Sequence, residues 1–252
     1  AGKTTTMRLI AGFLAPSAGT AVVCGHDVGR DPRRARAALG YLPEGAPAWG
    51  EMTARELLGF VASVRRMPPP ARRARFAQVV DRLGLAPVLD RRLETLSKGF
   101  RRRAGLAQAI LHDPPALVLD EPTDGLDPNQ KHEVRALIRS MAADKVIVLS
   151  THILEEVEAV CSRVIIIAGG KLIVDCTPAE LAARSSRHNA VTLALRGVAA
   201  AKAADALGAI DGVQDVAVIG ESGGTARLVV RPVGGRDLAA ALGSRARESG
   251  WE

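Results

Sequence analysis

The sequence has 252 residues, which at roughly 100–200 residues per domain allows one large domain or two unequal ones. A hydrophobic share of 47% excludes intrinsic disorder as the main state, and an aromatic share of 3% leaves no stacking platform for single-stranded nucleic acid. The net charge of +7 is mostly Arg, and since the clusters fall in helical segments they are expected to be solvated helix faces.

Gly2-Lys3-Thr4-Thr5 runs directly into Met7, Leu9, Ile10 and Phe13, a spacing that predicts a helix ended by Pro16-Ser17-Ala18-Gly19. A short strand at 22–24, a turn at 25–27 and a strand at 39–42 follow, the last broken at Pro43-Glu44-Gly45. From about Thr53 to Leu85 the pattern is helical, with Pro68-Pro69-Pro70 separating two helices. Residues 116–120 form the continuous apolar run of a strand buried in a parallel sheet. Asp127-Pro128 is an N-cap and first-turn pair for a helix with Val134, Leu137, Ile138 and Met141 on one face. Residues 146–150 are the next buried strand, and a helix passes through Leu154 to Val157. Residues 164–168 and 172–174 pair across Gly169-Gly170 as a hairpin. The run from Val164 is the best apolar stretch and is far short of the ~18 residues of a membrane span. Thr177-Pro178-Ala179-Glu180 reads as a capping box.

Beyond about Ser185 a second unit begins, with strands at 191–195, 213–219 and 226–230 and helices near 199–207 and 237–247, the order of a small βαββα plait. The expected fold is therefore α/β in two domains, residues 1–184 and 186–252. Cys24, Cys161 and Cys176 are odd in number and share no metal-ligand spacing, which points to a reduced, cytosolic compartment. No secretory leader is visible ahead of Gly2, and none is expected.

Four positions carry chemistry. Gly2-Lys3-Thr4 is the tail of the phosphate-loop pattern G-x-x-x-x-G-K-[ST]: helix-start amides point at an anion, Lys3 neutralises β/γ-phosphates and Thr4 offers a hydroxyl to Mg²⁺. Alone it equally describes a chance turn-to-helix junction. Asp120-Glu121 ends a buried strand, where two carboxylates are costly unless they face a cation or a water to activate; Asp120 is expected to hold Mg²⁺ through water and Glu121 to polarise the attacking water. His152 closes the following strand at its carboxyl end, where open α/β folds bind ligands, in position to meet a γ-phosphate. Ser97 and Gly99 open an Arg-rich helix and make a second anion-binding helix end. Two such ends separated by a helical insert imply a dimer with shared sites.

The order of these motifs, centred on Leu119-Asp-Glu-Pro-Thr-Asp-Gly-Leu-Asp-Pro-Asn129, resembles the ATP-binding cassette family over about residues 1–180. The resemblance implies a P-loop NTPase core of the RecA-like kind, with a helical subdomain at about 45–105. It assigns Gly2, Lys3, Thr4 and Thr5 to the phosphate loop, Asp120 to the Mg²⁺ carboxylate, Glu121 to the catalytic glutamate and His152 to the switch histidine. It also assigns Ser97 and Gly99 to the signature loop that clamps the partner subunit's ATP, and Asp127 to the dimer-crossing loop. Lys98 and Phe100 stand where the signature usually has Gly and Gln, and Glu44 stands where a Gln usually contacts Mg²⁺ and the membrane subunit. With Ala46-Pro47 and the plait-like second unit, these departures resemble the gliding-motility and multidrug-export branch. The resemblance further implies that the sequence starts inside the phosphate loop, stops short at Gly250-Trp251-Glu252, and lacks the aromatic residue that stacks on adenine, so that the chain as it stands binds ATP weakly.

The function expected on this basis is an ATPase subunit, with ATP and Mg²⁺, that pairs with a second cassette. It powers export of an unidentified substrate through a separate permease at the cytoplasmic face of the membrane. The alternatives are a nucleic-acid- or translation-associated cassette, motivated by Arg65-Arg66, Arg72-Arg73 and Arg101-Arg102-Arg103, and a regulator that binds nucleotide without turnover. Nucleic acid is not the expected partner, since there is no second cassette and no long coiled-coil insert. The second unit, with no converging His, Cys or carboxylates, is expected to be an accessory domain.

Overall fold

The computed structural model describes residues 2–45, 49–184 and 189–252. The chain divides into two compact units, Ala1–Asp175 and Cys176–Glu252. This division falls earlier than the expected 184/186 boundary, so the helix capped by Thr177 belongs to the second unit. The Ala46-Pro47 pair and the linker at 185–188 lie outside the described residues.

The first unit opens with α1 (Lys3–Ile10), the strands β1 (Val22–Val23) and β2 (His26–Asp27), α2 (Pro32–Ala37) and β3 (Leu39–Leu42). The helices α3 (Ala54–Val64), α4 (Pro69–Arg82) and α5 (Lys98–Ile110) follow, then β4 (Ala116–Asp120), α6 (Pro128–Met141), β5 (Val146–Ser150) and α7 (Leu154–Val160). The paired strands β6 (Val164–Ala168) and β7 (Lys171–Cys176) close the series. β3, β4 and β5 form a parallel sheet in that order, with Leu42 opposite Leu119 and Asp120 opposite Ser150. All five residues of β4 are buried, which is why its sequence is a continuous apolar run rather than an alternating one.

α1 is shorter than its apolar spacing predicts. It ends at Ile10 because Gly12 adopts φ 72°, and the amides of Gly12 and Phe13 return to the carbonyls of Leu9 and Arg8, the double closure of a Schellman ending. Phe13 is thereby outside the helix and 70% exposed.

α3 begins at a reciprocal cap, in which the Glu56 amide donates to the Thr53 hydroxyl at 3.1 Å and the Thr53 amide to the Glu56 carboxylate at 2.8 Å. Ala54, Leu57, Leu58, Val61 and Ala62 then form one buried stripe. That stripe, α4, α5 and the faces of β3 and β4 share one core of Ala, Val, Leu, Ile and Met. α5 packs so closely on the sheet that a Cβ at Gly40 would lie 2.2 Å from the Ala109 carbonyl oxygen.

The second unit comprises α8 (Pro178–Ala183), β8 (Val191–Arg196), α9 (Ala200–Gly208), β9 (Val213–Ser222), β10 (Thr225–Pro232) and α10 (Ala239–Glu248). Its three strands form an antiparallel sheet in the order β8, β10, β9. Leu195, Leu207, Leu228, Val230 and Leu242 are at the centre of its own core.

Candidate functional site

The site grows from the carboxyl ends of β4 and β5. Asp120, the last residue of β4, is fully buried; its Oδ1 accepts a hydrogen bond from the Ser150 hydroxyl beside it, while its Oδ2 is buried with no protein partner. Glu121 turns the chain at φ 51°, in the left-handed region, and its amide is held by the Ser150 carbonyl at 3.2 Å and hydroxyl at 3.1 Å. That anchored turn fixes the Glu121 carboxylate between two cationic or proton-bearing groups. Lys3 Nζ, in the first turn of α1, lies 3.4 Å from Oε1, and His152 Nδ1, just past β5, lies 2.9 Å from Oε2. Lys3 also donates to the Thr151 carbonyl at 2.8 Å. Residues more than a hundred positions apart thus converge on one carboxylate.

The neighbouring loop joins through α1. Thr4 Oγ1 donates to Glu44 Oε2 at 3.3 Å, which brings the loop after β3 to the start of the helix. Thr5 is exposed on the same turn, and Gly2 is the N-cap residue. The donor set suits a hard divalent cation: a buried carboxylate oxygen without a partner on Asp120, with a hydroxyl and a carboxylate on Thr4 and Glu44. Among the described residues no group of three or more His, Cys, Asp or Glu is arranged to hold a metal by itself.

Three residues that motif reasoning passes over hold this arrangement. Arg102 was expected on a solvated face but is only 6% exposed. Its Nη1 donates to the carbonyls of Pro43 and Gly45, each at 2.8 Å, and its Nη2 to those of Asp120 and Glu121. Burial pulls its pKa down, opposed by the carboxylates of Asp124, Asp120, Glu121 and Glu44. The signal was present in the sequence, since Gly99, Arg102, Leu106 and Ala109 recur at helical spacing along the buried stripe of α5. Glu156 on α7, 2% exposed, accepts from the hydroxyls of Thr123 and, at 2.8 Å, Thr151, and faces Arg135 at 3.5 Å. Ser150 is the third, through the contacts given above.

Ser97, Gly99 and Asp127 share no hydrogen bond with the Lys3, Glu121 and His152 cluster. Ser97 is exposed and its hydroxyl caps α5 by accepting from the Phe100 amide at 3.3 Å; Asp127 caps α6 by accepting from the Gln130 amide at 2.9 Å. Gly99 is buried between the two helix starts, where a Cβ would lie 2.4 Å from Gln130 Oε1. Lys98 pairs with Asp124 at 2.9 Å, and this bond holds the Asp124 carboxyl below its ordinary pKa.

Residues 1–124 match the family model for the ABC transporter. Nod factor export ATP-binding protein I of Paraburkholderia xenovorans (strain LB400) is 39% identical over 184 residues, covering 73% of this chain and 60% of that protein. ABC transporter A family member 1 of Dictyostelium discoideum is 32% identical over 192 residues, covering 76% of this chain and 22% of that one. A solved ATP binding subunit of an ABC transporter superposes with a TM-score of 0.65 at 28% identity, covering 70% of this chain and 74% of its own. The chain spans 60% or less of the length of these two curated relatives. Its parallel sheet, with Lys3, Asp120 and Glu121 gathered at one end, is that of a P-loop NTPase, and the chain belongs to the ABC transporter family as an ATP-binding domain.

Proposed function

We propose that this chain is the ATP-hydrolysing subunit of an ABC transporter and powers export through a separate membrane permease. One observation carries the reading: the Glu121 carboxylate is shared by the Lys3 ammonium and the His152 ring, beside an Asp120 oxygen that is buried and unpaired. In this assignment the amides of Gly2 to Thr5 and the Lys3 ammonium bind the phosphate tail of ATP. Thr4, Glu44 and Asp120 hold Mg²⁺, which when bound neutralises charge on the β- and γ-phosphates. Glu121 takes the proton of the water that attacks the γ-phosphorus, with ADP as leaving group, and His152 fixes the carboxylate and meets the γ-phosphate. Ser97, Gly99 and Asp127 face a second cassette and its ATP, as the exposure of Ser97 at the start of α5 allows.

In this reading the cassette is the first unit, with its helical subdomain at about 45–105, and the second unit is accessory. Among the described residues no helix is long and apolar enough to cross a membrane, in keeping with a peripheral subunit at the cytoplasmic face that reaches the bilayer through a permease. The export direction is supported by the name of the Paraburkholderia relative. The Arg runs that favour nucleic acid are largely spent within the fold. Arg65 donates to Leu39 O at 3.2 Å, Arg72 to Gly59 O at 3.3 Å and Arg103 to Glu133 at 2.7 Å, and Arg102 is buried.

Glu121→Gln keeps the size and hydrogen-bonding reach of the side chain and removes its charge. The expected loss in phosphate release is about 100–1000-fold, the scale on which a positioned transition-state group is worth ~3–4 kcal/mol. ATP-dependent association, followed by light scattering, is expected to persist. Turnover at the parental rate sinks the assignment of Glu121.

A further inference from the structure

We infer that Arg102 is a positioning residue: one buried guanidinium clasps the loop that carries Glu44 to the strand end that carries Asp120 and Glu121. The inference rests on the ATPase reading of that site and deepens it.

The geometry calls for such a clasp. β3 and β4 pair through Leu42 and Leu119, and no ladder pair follows that one. The residues that matter come next: Glu44 in one chain segment, Asp120 and Glu121 in the other. Beyond the last ladder pair the two segments are joined by Arg102, whose Nη1 binds the carbonyls on either side of Glu44 and whose Nη2 binds the carbonyls of Asp120 and Glu121 themselves. Four N–H donors in one plane meet four carbonyls from two segments, a match that the fixed fork of a guanidinium supplies and a single ammonium does not.

The cost of the arrangement argues for a purpose beyond packing. A desolvated cation is expensive, and an apolar side chain of similar volume is commonly the more stable occupant of such a place. Arg102 has no carboxylate oxygen among its hydrogen-bond partners; its charge is met by carbonyl dipoles and by the field of nearby carboxylates. Its position on α5 adds a consequence. Ser97, the cap of α5, lies five residues earlier, about 7–8 Å along the helix, so a shift of the exposed start of α5 is passed by Arg102 to both carboxylate-bearing segments at once.

The test compares Arg102→Lys, which keeps a cation but loses the fork, with Arg102→Gln, which keeps much of the packing and loses the charge. Hydrogen exchange by mass spectrometry and steady-state ATP hydrolysis are measured on the full chain. Both variants are expected to exchange about tenfold faster in peptides covering 40–45 and 116–126, with α3 and α4 unchanged. Their kcat is expected to fall about 10–100-fold and the KM for ATP to stay within about threefold, since Lys3 and the α1 amides are untouched. Unchanged local exchange overturns the inference, as does faster local exchange with full kcat. Faster exchange spread evenly through α3, α4 and α5 also overturns it, by making the role a general structural one. If the parent chain itself fails to hydrolyse ATP, the functional reading falls, and the exchange arm alone decides whether Arg102 clasps the two segments.

Discussion

Arg102, Asp120, Thr123, Ser150 and Glu156 are the polar or charged side chains buried among the described residues, and all five lie in the first unit. The buried side chains of the second unit, from Leu195 and Ala203 to Leu228, Val230 and Leu242, are apolar. The second unit gains its stability by the inexpensive route, removing hydrocarbon from water at roughly 25 cal/mol per Å². The first unit does the same through its leucine-rich core, then spends part of that gain on desolvated charge at one place, the carboxyl ends of β4 and β5. Buried polar groups are tolerated where each finds a partner or faces a ligand, so their confinement to one end of one sheet marks that end as the working part.

The two tryptophans allow the contrast to be tested unit by unit. Trp49 lies in the first unit against Phe60 at 5.4 Å, and Trp251 packs on the core of the second. Replacing one by Phe leaves the other as the reporter. The largest stability effect is expected from Glu156→Ala. It leaves Arg135 paired only with Glu155 at 2.9 Å and strands the hydroxyls of Thr123 and Thr151, at a combined cost of about 3–5 kcal/mol. The urea midpoint seen by Trp49 should drop sharply while that seen by Trp251 holds. If both hold, the buried network is not what secures the first unit. Leu228→Ala, at a fully buried position, should do the reverse, costing the second unit about 3 kcal/mol in the Trp251 signal. At temperatures where that unit still folds, ATP turnover should stay at the parental rate, and a large fall in turnover there contradicts the accessory role.

The asymmetry also explains what could be read without coordinates. The caps at Asp127 and Thr177, the buried run at 116–120 and the strand pair around Gly169-Gly170 are local patterns, and each stands where the residues place it. The meeting of Lys3, Asp120, Glu121 and His152 was legible because sheet topology sends successive strand ends to one edge. Three features fall outside the motif reading: one is a local helix ending, and two depend on partners elsewhere in the chain. Gly12 ends α1 by its own positive φ and leaves Phe13 outside the helix against Tyr41 at 5.3 Å, Arg102 sits on the buried stripe of α5 but finds its acceptors in two other segments, and the Glu156 carboxylate is satisfied by hydroxyls 5 and 33 residues away. An Arg triplet reads as a solvated face until those acceptors are known.

The smallest of the expected effects probes the far end of the first unit, where a titratable ring is sheltered without any carboxylate bonded to it. His112 lines a cleft with Arg65, Arg75 and Asp113; its Nε2 lies 3.3 Å from the Leu39 carbonyl, and its Nδ1 is buried without a partner. Burial, reinforced by Arg65 and Arg75 and opposed by the Leu39 bond and Asp113, lowers its pKa to about 4. The ordinary value, 6.5, applies to the unfolded chain, so between those values the unfolded state binds more protons than the folded one. Stability from this group is complete above pH 6.5 and is lost as the pH falls toward 4, in all about 3 kcal/mol for a fully sheltered ring and on the order of 2 kcal/mol once solvent screening of this partly exposed one is included. The lowered carboxyls of Asp113 and Asp124 act in a separate window, since their loss begins near the ordinary value of 3.8. The Trp49-reported urea midpoint should therefore decline between pH 6.5 and 4.5, and His112→Gln should flatten that decline. The Trp251-reported midpoint should lack the His112 contribution, because His112 lies in the first unit. A slope that survives in His112→Gln assigns the proton uptake to another group and removes His112 from the account.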